Sequence, residues 1–213
     1  MSYQGTGQSL SDFCLWFEEQ ITKEEKTYKD LFEILKDNSI KKPLNAISPD
    51  DIQVRESLLS VKDTVKWIAK SVIDVVETTI LNNANEEINH TKKTTLEHIM
   101  PQTLTGEWIK YIASNENTSE QDVIDKHKAY LNKIGNLCFI DLSKNSKISN
   151  YSFEDKKSKL YRLVSSPLIN GSDNLKDYNI DSINSYSVWG FSEIQKRTEQ
   201  IVDQFLKIIN QIN

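Results

Sequence analysis

Glycine and proline are scarce in this chain, six and four residues of 213, and that scarcity favours helix over a turn-dense all-β fold. The chain is instead rich in Lys, Glu, Leu and Ile, residues that sit comfortably in helices. The expected class is α-rich. With 38% hydrophobic and 9% aromatic residues, there is enough apolar side chain to bury a real core.

The N-terminal half reads as helical packing material. Phe13, Trp16, Phe17, Ile21, Tyr28, Leu31, Phe32 and Leu35 recur at helical spacing among charged residues, which predicts one amphipathic helix or two with a break. A linker from Lys36 to Ile47 ends at a helix-start signal: Ser48 as cap, Pro49 at the first position, then Asp50 and Asp51 at the positive end of the dipole. The spacing predicts a second long helix with Leu58, Val61, Val65, Ile68, Val72, Val75 and Thr79 on one face, ending near Leu81-Asn82-Asn83. Asn82 to Thr95 is polar and reads as a loop or module boundary. The expected division is a helical region over 1–90 and a second domain over 91–213.

The formal net charge of -5 argues against a protein that coats nucleic acid through bulk charge. The charge is uneven, however: residues 1–90 carry 10 Lys+Arg against 16 Asp+Glu, whereas Lys126 to Arg162 carries nine basic residues against three acidic. A local positive surface is expected there. Cys14 and Cys138 form no CxxC pair, so each reads as a small buried apolar residue. No leader and no run long enough to span a membrane is evident, and a cytoplasmic protein is expected.

The second half alternates short strands with helices. Thr94 to Ile99 is β-prone and closed by Pro101; Ser119 to Leu131 reads as a helix begun by Thr118 or Ser119; and Leu137-Cys138-Phe139-Ile140 has the length of a buried strand. Ser152 caps a further helix, Ser165 to Ser187 reads as a long irregular connection, and a last helix over Ser192 to Asn210 shows Ile194, Ile201, Phe205 and Ile208 on one side.

Of the three histidines, His98 stands out, because it lies beside Glu97 in a strand-like run stopped by Pro101. Neighbouring residues on a strand face opposite ways, so this pair can share a cation only if the strand ends there. Downstream, Asn136 precedes the apolar strand and Asn145 follows nine residues later. Glu-His, Asn and Asn thus punctuate a strand, loop, strand and helix.

This pattern resembles the HNH, or His-Me finger, ββα-metal nucleases. With Trp108, the strings EHIMPQ, IGNL and NSKISNYSFEDKKSKLY, a late Trp189 and Arg197, it looks like the C-terminal nuclease domain of GmrSD-type modification-dependent restriction enzymes, over about Thr94 to Ile209. EHIMPQ also resembles the HNH domain of RNA-guided CRISPR nucleases. The resemblance implies an α+β, mostly α protein: a helical protein with an embedded ββα-metal (HNH) finger. It implies His98 as general base, Glu97 and Asn145 as ligands of one Mg²⁺ or Mn²⁺, and Asn136 bonding the loop backbone to orient His98.

Lys147, Lys156 and Lys157 are candidate phosphate contacts, each equally readable as a solvated helix face. Asn150 either assists at the site or caps the next helix. Glu97 stands where many of these enzymes have Asp, and Asn145 where many have His; an amide oxygen suits a hard cation better than zinc. The implied partner is DNA, perhaps modified, and the implied setting is defence against foreign DNA. Because no phosphate-cradling Gly-rich loop is found, the nucleotide-binding sensing domain of such enzymes is expected outside this chain, in a longer protein or another subunit. The competing readings are an inactive nuclease-fold module that binds DNA or a partner protein, and an RNA-cleaving toxin.

Overall fold

The computed structural model describes residues 51–60, 66–83, 94–141, 151–159, 161, 166–171 and 173–211. The helix expected from Ser11 to Leu35, the Ser48-Pro49 start, Cys14, Asn145, Lys147 and Asn150 lie outside them. By contact the chain divides into a unit ending at Val54 and a second unit over Arg55–Gln211. Of the first unit only 51–54 are described, and the second unit holds all the remaining described residues.

The elements are α1 (Asp51–Leu59, which crosses the division), α2 (Lys66–Asn83), β1 (Thr94–His98), α3 (Gly106–Glu116), α4 (Glu120–Leu131), β2 (Leu137–Asp141), α5 (Phe153–Lys159), α6 (Pro167–Asn170) and α7 (Phe191–Gln211). The described part is mostly helical with one two-stranded sheet, as the sequence predicts. None of its helices is long and apolar enough to cross a membrane.

Over the predicted second long helix the described elements are α1 and α2, Val61 and Val65 lie outside the described residues, and the buried face of α2 is shifted. Leu58 and Val72 are buried as expected, but in α2 the rest of the stripe is Ala69, Ile73, Val76 and Ile80, while Ile68, Val75 and Thr79 sit at its margin. Two apolar faces compete over this stretch, and packing against α7 selects between them.

The sequence contains no clear sign of α3, which is a full helix of 11 residues. The Thr105 side chain accepts from the Trp108 N–H at its start, and Asn117 in the left-handed conformation ends it. Ser119 starts α4 as expected, with the full reciprocal bond pair to Asp122. Ser152 caps α5 by accepting from the Asp155 N–H. The stretch read as irregular, Ser165 to Ser187, includes α6 and two 3-10 turns, Asp173–Tyr178 and Ile183–Ser185.

β1 and β2 pair antiparallel, with Leu96 opposite Phe139, Glu97 opposite Cys138 and His98 opposite Leu137. Two helices, α3 and α4, lie in the connection between the strands. Beneath the sheet a core of Ile99, Met100, Trp108, Ile112, Val123, Ile140, Phe153, Trp189 and Ile194 draws on both strands' flanks and on α3, α4, α5 and α7. α7 packs along α2 and along the 3-10 turn Ile134–Asn136 that feeds β2, so the C-terminal helix braces the start of the second strand.

Candidate active site

His98 is the last residue of β1, and the chain turns immediately after it through Ile99 and Met100. Asn136 makes that turn rigid. Its carbonyl accepts from the Ile99 N–H at 2.9 Å, its Oδ1 accepts from the Met100 N–H at 2.7 Å, and its Nδ2 donates to the carbonyls of Met100 at 3.1 Å and Leu131 at 2.9 Å. The indole N–H of Trp189 reaches the same Oδ1 at 3.3 Å. Asn136 is fully buried, so these bonds are made away from competing water. A carboxylate could replace only the accepting half of this set, which explains an amide here.

Two further clamps act nearby. His127 of α4 meets the Pro101 carbonyl at 2.9 Å, and since that oxygen only accepts, His127 Nε2 carries the proton. Arg197 of α7, fully buried, donates from Nη1 to the carbonyls of Gly135 at 2.6 Å and Leu137 at 3.0 Å. Burial lowers the Arg197 pKa from its ordinary value.

Glu97 and His98 are each only 5% exposed and face opposite sides of β1. On one side, the Glu97 carboxylate meets the ammonium of Lys156 at 2.6 Å, and that same ammonium donates to the His98 carbonyl at 2.7 Å. On the other, His98 Nε2 lies 3.1 Å from Asn132 Oδ1, and Nδ1 lies 3.1 Å from Gln102 Nε2. The ring is therefore contacted at both nitrogens by amide side chains. Cys138, opposite Glu97, has its thiol pushed up to about 12 by burial, so it stays protonated and fits the expected role of a buried apolar residue.

Lys156, which reads from the sequence as a phosphate contact, is fully buried, with its ammonium bonded to Glu97 and His98 inside the protein. The signal was its spacing from Phe153, three residues earlier on α5: the i, i+3 relation places both on one helix face. Lys157 is half-buried, donates to the Tyr186 carbonyl at 2.6 Å and lies over the Phe153 ring. Nothing in the sequence singles out Asn132 or Gln102, though Gln102 closes the EHIMPQ string.

Carboxylate and amide oxygens are the donor types that a hard divalent cation takes. Among the described residues, no group of three or more His, Cys, Asp or Glu is placed to hold a metal ion. Glu97 is the described member of the expected pair, and a cation at its Oε1 would compete with the Lys156 ammonium already there.

The sequence pattern described as "GmrSD restriction endonucleases, C-terminal domain" matches residues 48–204. No curated protein and no solved structure matches the chain.

Proposed function

The chain belongs to the family of GmrSD restriction endonuclease C-terminal domains, a nuclease domain of restriction type, and from that premise we propose that it hydrolyses DNA phosphodiester bonds. In this reading β1, β2 and α5 are the parts of an HNH-type ββα-metal finger. His98 is the general base that takes a proton from the attacking water. Glu97 and Asn145 would hold one Mg²⁺ or Mn²⁺, which supplies charge stabilisation at the scissile phosphate when bound. Lys147 and Asn150 are proposed as contacts to the phosphate backbone, with Lys157 as a further candidate.

The observation that carries the reading is the Asn136 staple across the turn that follows His98. A buried amide bonded to both the N–H and the carbonyl of Met100, two residues past His98, fixes the backbone from which the imidazole projects, and a base requires a fixed position. The chain's own residues then have separate tasks. Asn136, His127 and Arg197 fix the backbone, Lys156 holds Glu97, and His98 moves the proton. The proposed substrate is DNA, modified or not, and the proposed setting is defence against foreign DNA. An N-terminal nucleotide-binding domain or a separate subunit would supply the sensing.

The Lys156 ammonium on Glu97 supports a second reading, a nuclease-fold module that binds DNA without cutting it. One assay separates the two. Plasmid DNA, modified and unmodified, is incubated with the protein in Mg²⁺ or Mn²⁺ and in EDTA. Metal-dependent nicking or cutting is expected, and His98→Ala should slow it roughly 10²- to 10⁴-fold. Salt-sensitive binding with no cleavage under any condition would favour the binding module, and full activity in His98→Ala would remove His98 as the base.

A further inference from the structure

Lys196, Gln200, Asp203 and Lys207 recur at the i, i+4, i+7, i+11 spacing of one helix face on α7 and, with Tyr178 and Asn179, line a cleft of ≈ 180 Å³. We propose that this cleft binds a nucleobase, held at its edge by the Gln204 side-chain amide and flanked by Tyr178. Gln204 lines the cleft although it is only 7% exposed, and among the described residues no hydrogen-bond partner meets its amide. An amide taken out of water is costly until it is paired. It carries an acceptor and donors side by side, and the edge of a base offers the complementary donor and acceptor at the same spacing.

The charges around the cleft are largely committed elsewhere, which favours a neutral ligand. Lys196 is paired with Asp181 at 2.8 Å, and Arg55 meets Asp203 at 2.7 Å. Gln200 donates to the Asp181 carboxylate at 3.0 Å and accepts from the Asp181 N–H at 3.2 Å. Glu199 accepts from Gln195 at 2.7 Å, and its carboxylate repels phosphate from the interior. The Tyr178 hydroxyl accepts from Asn83 Nδ2, which steadies a ring on which a base can stack. Pockets for drug-sized ligands begin at roughly 300 Å³, so this cleft takes a single ring system and leaves sugar and phosphate outside. Lys207, exposed on the same lining, is available to that phosphate.

The base could come from a free nucleotide or from a nucleic-acid strand, and the test reads binding alone, without cleavage and without His98. The full chain, ¹⁵N-labelled at its side-chain amides, is titrated with adenosine, with AMP and with a single-stranded hexamer of deoxyadenosine. The Gln204 signal is the one that Gln204→Leu removes, and it is expected to shift saturably with these probes. Read from the Asn179 amide at the rim, Gln204→Leu should weaken adenosine binding about 10- to 100-fold, the span for an amide paired with a base edge. Gln204→Glu, which keeps the size and an acceptor but loses the donors, should weaken it in the same direction. Tyr178→Leu should cost about 5- to 100-fold through lost stacking.

A stronger response to AMP than to the hexamer identifies a free nucleotide as the source, the reverse identifies a strand, and both support the site. The main chain of an extended peptide also sets a donor beside an acceptor, so N-acetylglycine N-methylamide is titrated alongside. A Gln204 shift with this amide equal to or larger than that with adenosine overturns the proposal in favour of a peptide. Absence of any shift with the three base-bearing probes at millimolar concentration overturns it as well, as does adenosine binding unaltered in whichever of Gln204→Leu and Gln204→Glu melts like wild type. Binding by a protein that cuts no DNA upholds this site and counts against the nuclease reading alone.

Discussion

Lys156 and Glu97 form an ion pair at 2.6 Å in which the lysine side chain is wholly out of solvent and the glutamate nearly so. Removing one partner from such a pair leaves a buried charge without compensation. Lys156→Met is therefore expected to destabilise the protein by about 3–5 kcal/mol in urea unfolding. In the double variant Glu97→Gln with Lys156→Met no such charge remains, and the loss should be clearly smaller than the sum of the single losses. Additive losses would mean that the pair contributes nothing as a pair.

Asn136 is expected to matter for stability and activity together. Asn136→Ala leaves the Met100 N–H and the Met100 and Leu131 carbonyls without their side-chain partner, at about 1–3 kcal/mol for each group that stays unsatisfied. Asn136→Asp keeps the acceptor and loses the donor, while adding a buried charge, so it should be no milder. Thermal melting and plasmid cleavage read both effects, and a wild-type melting curve for Asn136→Ala would contradict the staple.

Gly135 of the IGNL string is required for space. A Cβ there would collide with the backbone carbonyl of Ile194 and lie 2.7 Å from the Thr198 nitrogen, both on α7. Backbone atoms of a helix cannot step aside as a side chain can. Gly135→Ala should therefore push α7 away from the 3-10 turn and cost about 3 kcal/mol or more, measured as a fall in the urea midpoint.

Glu77 provides a pH dependence whose sign is defined. Burial pushes its carboxyl from the usual 4.5 up to about 7, against the opposing pull of the hydrogen bond from Ser166 and the positive charge of Arg197. The folded state thus holds this proton more tightly than the unfolded chain. The resulting stability is complete below about pH 4.5 and is lost as pH rises through about 7. Glu77→Gln, which keeps an acceptor for Ser166, should melt higher than wild type at about pH 8 and together with it at about pH 4.5.

Much of the frame around His98 is legible in the sequence because the signals are local. The β1 and β2 runs, the Ser119 and Ser152 caps and the apolar face of α7 each follow from residues within a few positions of one another. The positions that are not legible depend on partners far away in sequence. Lys156 reads as one more surface lysine until Glu97, 59 residues earlier, is seen beside it. Asn132 is an ordinary helix-end residue until the His98 ring arrives from 34 residues upstream. The buried face of α2 escapes for the same reason, since two apolar stripes are available and only the distant α7 distinguishes them. α3 escapes because its threonine cap is followed directly by Gly106, a poor helix former.

The clamp on Asn136 also has a consequence in the order of synthesis. β2 ends at Asp141, whereas Trp189, which joins the Asn136 amide, and Arg197, which holds the carbonyls on either side of it, come from the start of α7 and the residues just before it. Both strands therefore leave the ribosome well before the residues that fix their geometry. A nascent chain can pair the sheet early, but the histidine turn is not secured until α7 has emerged and docked.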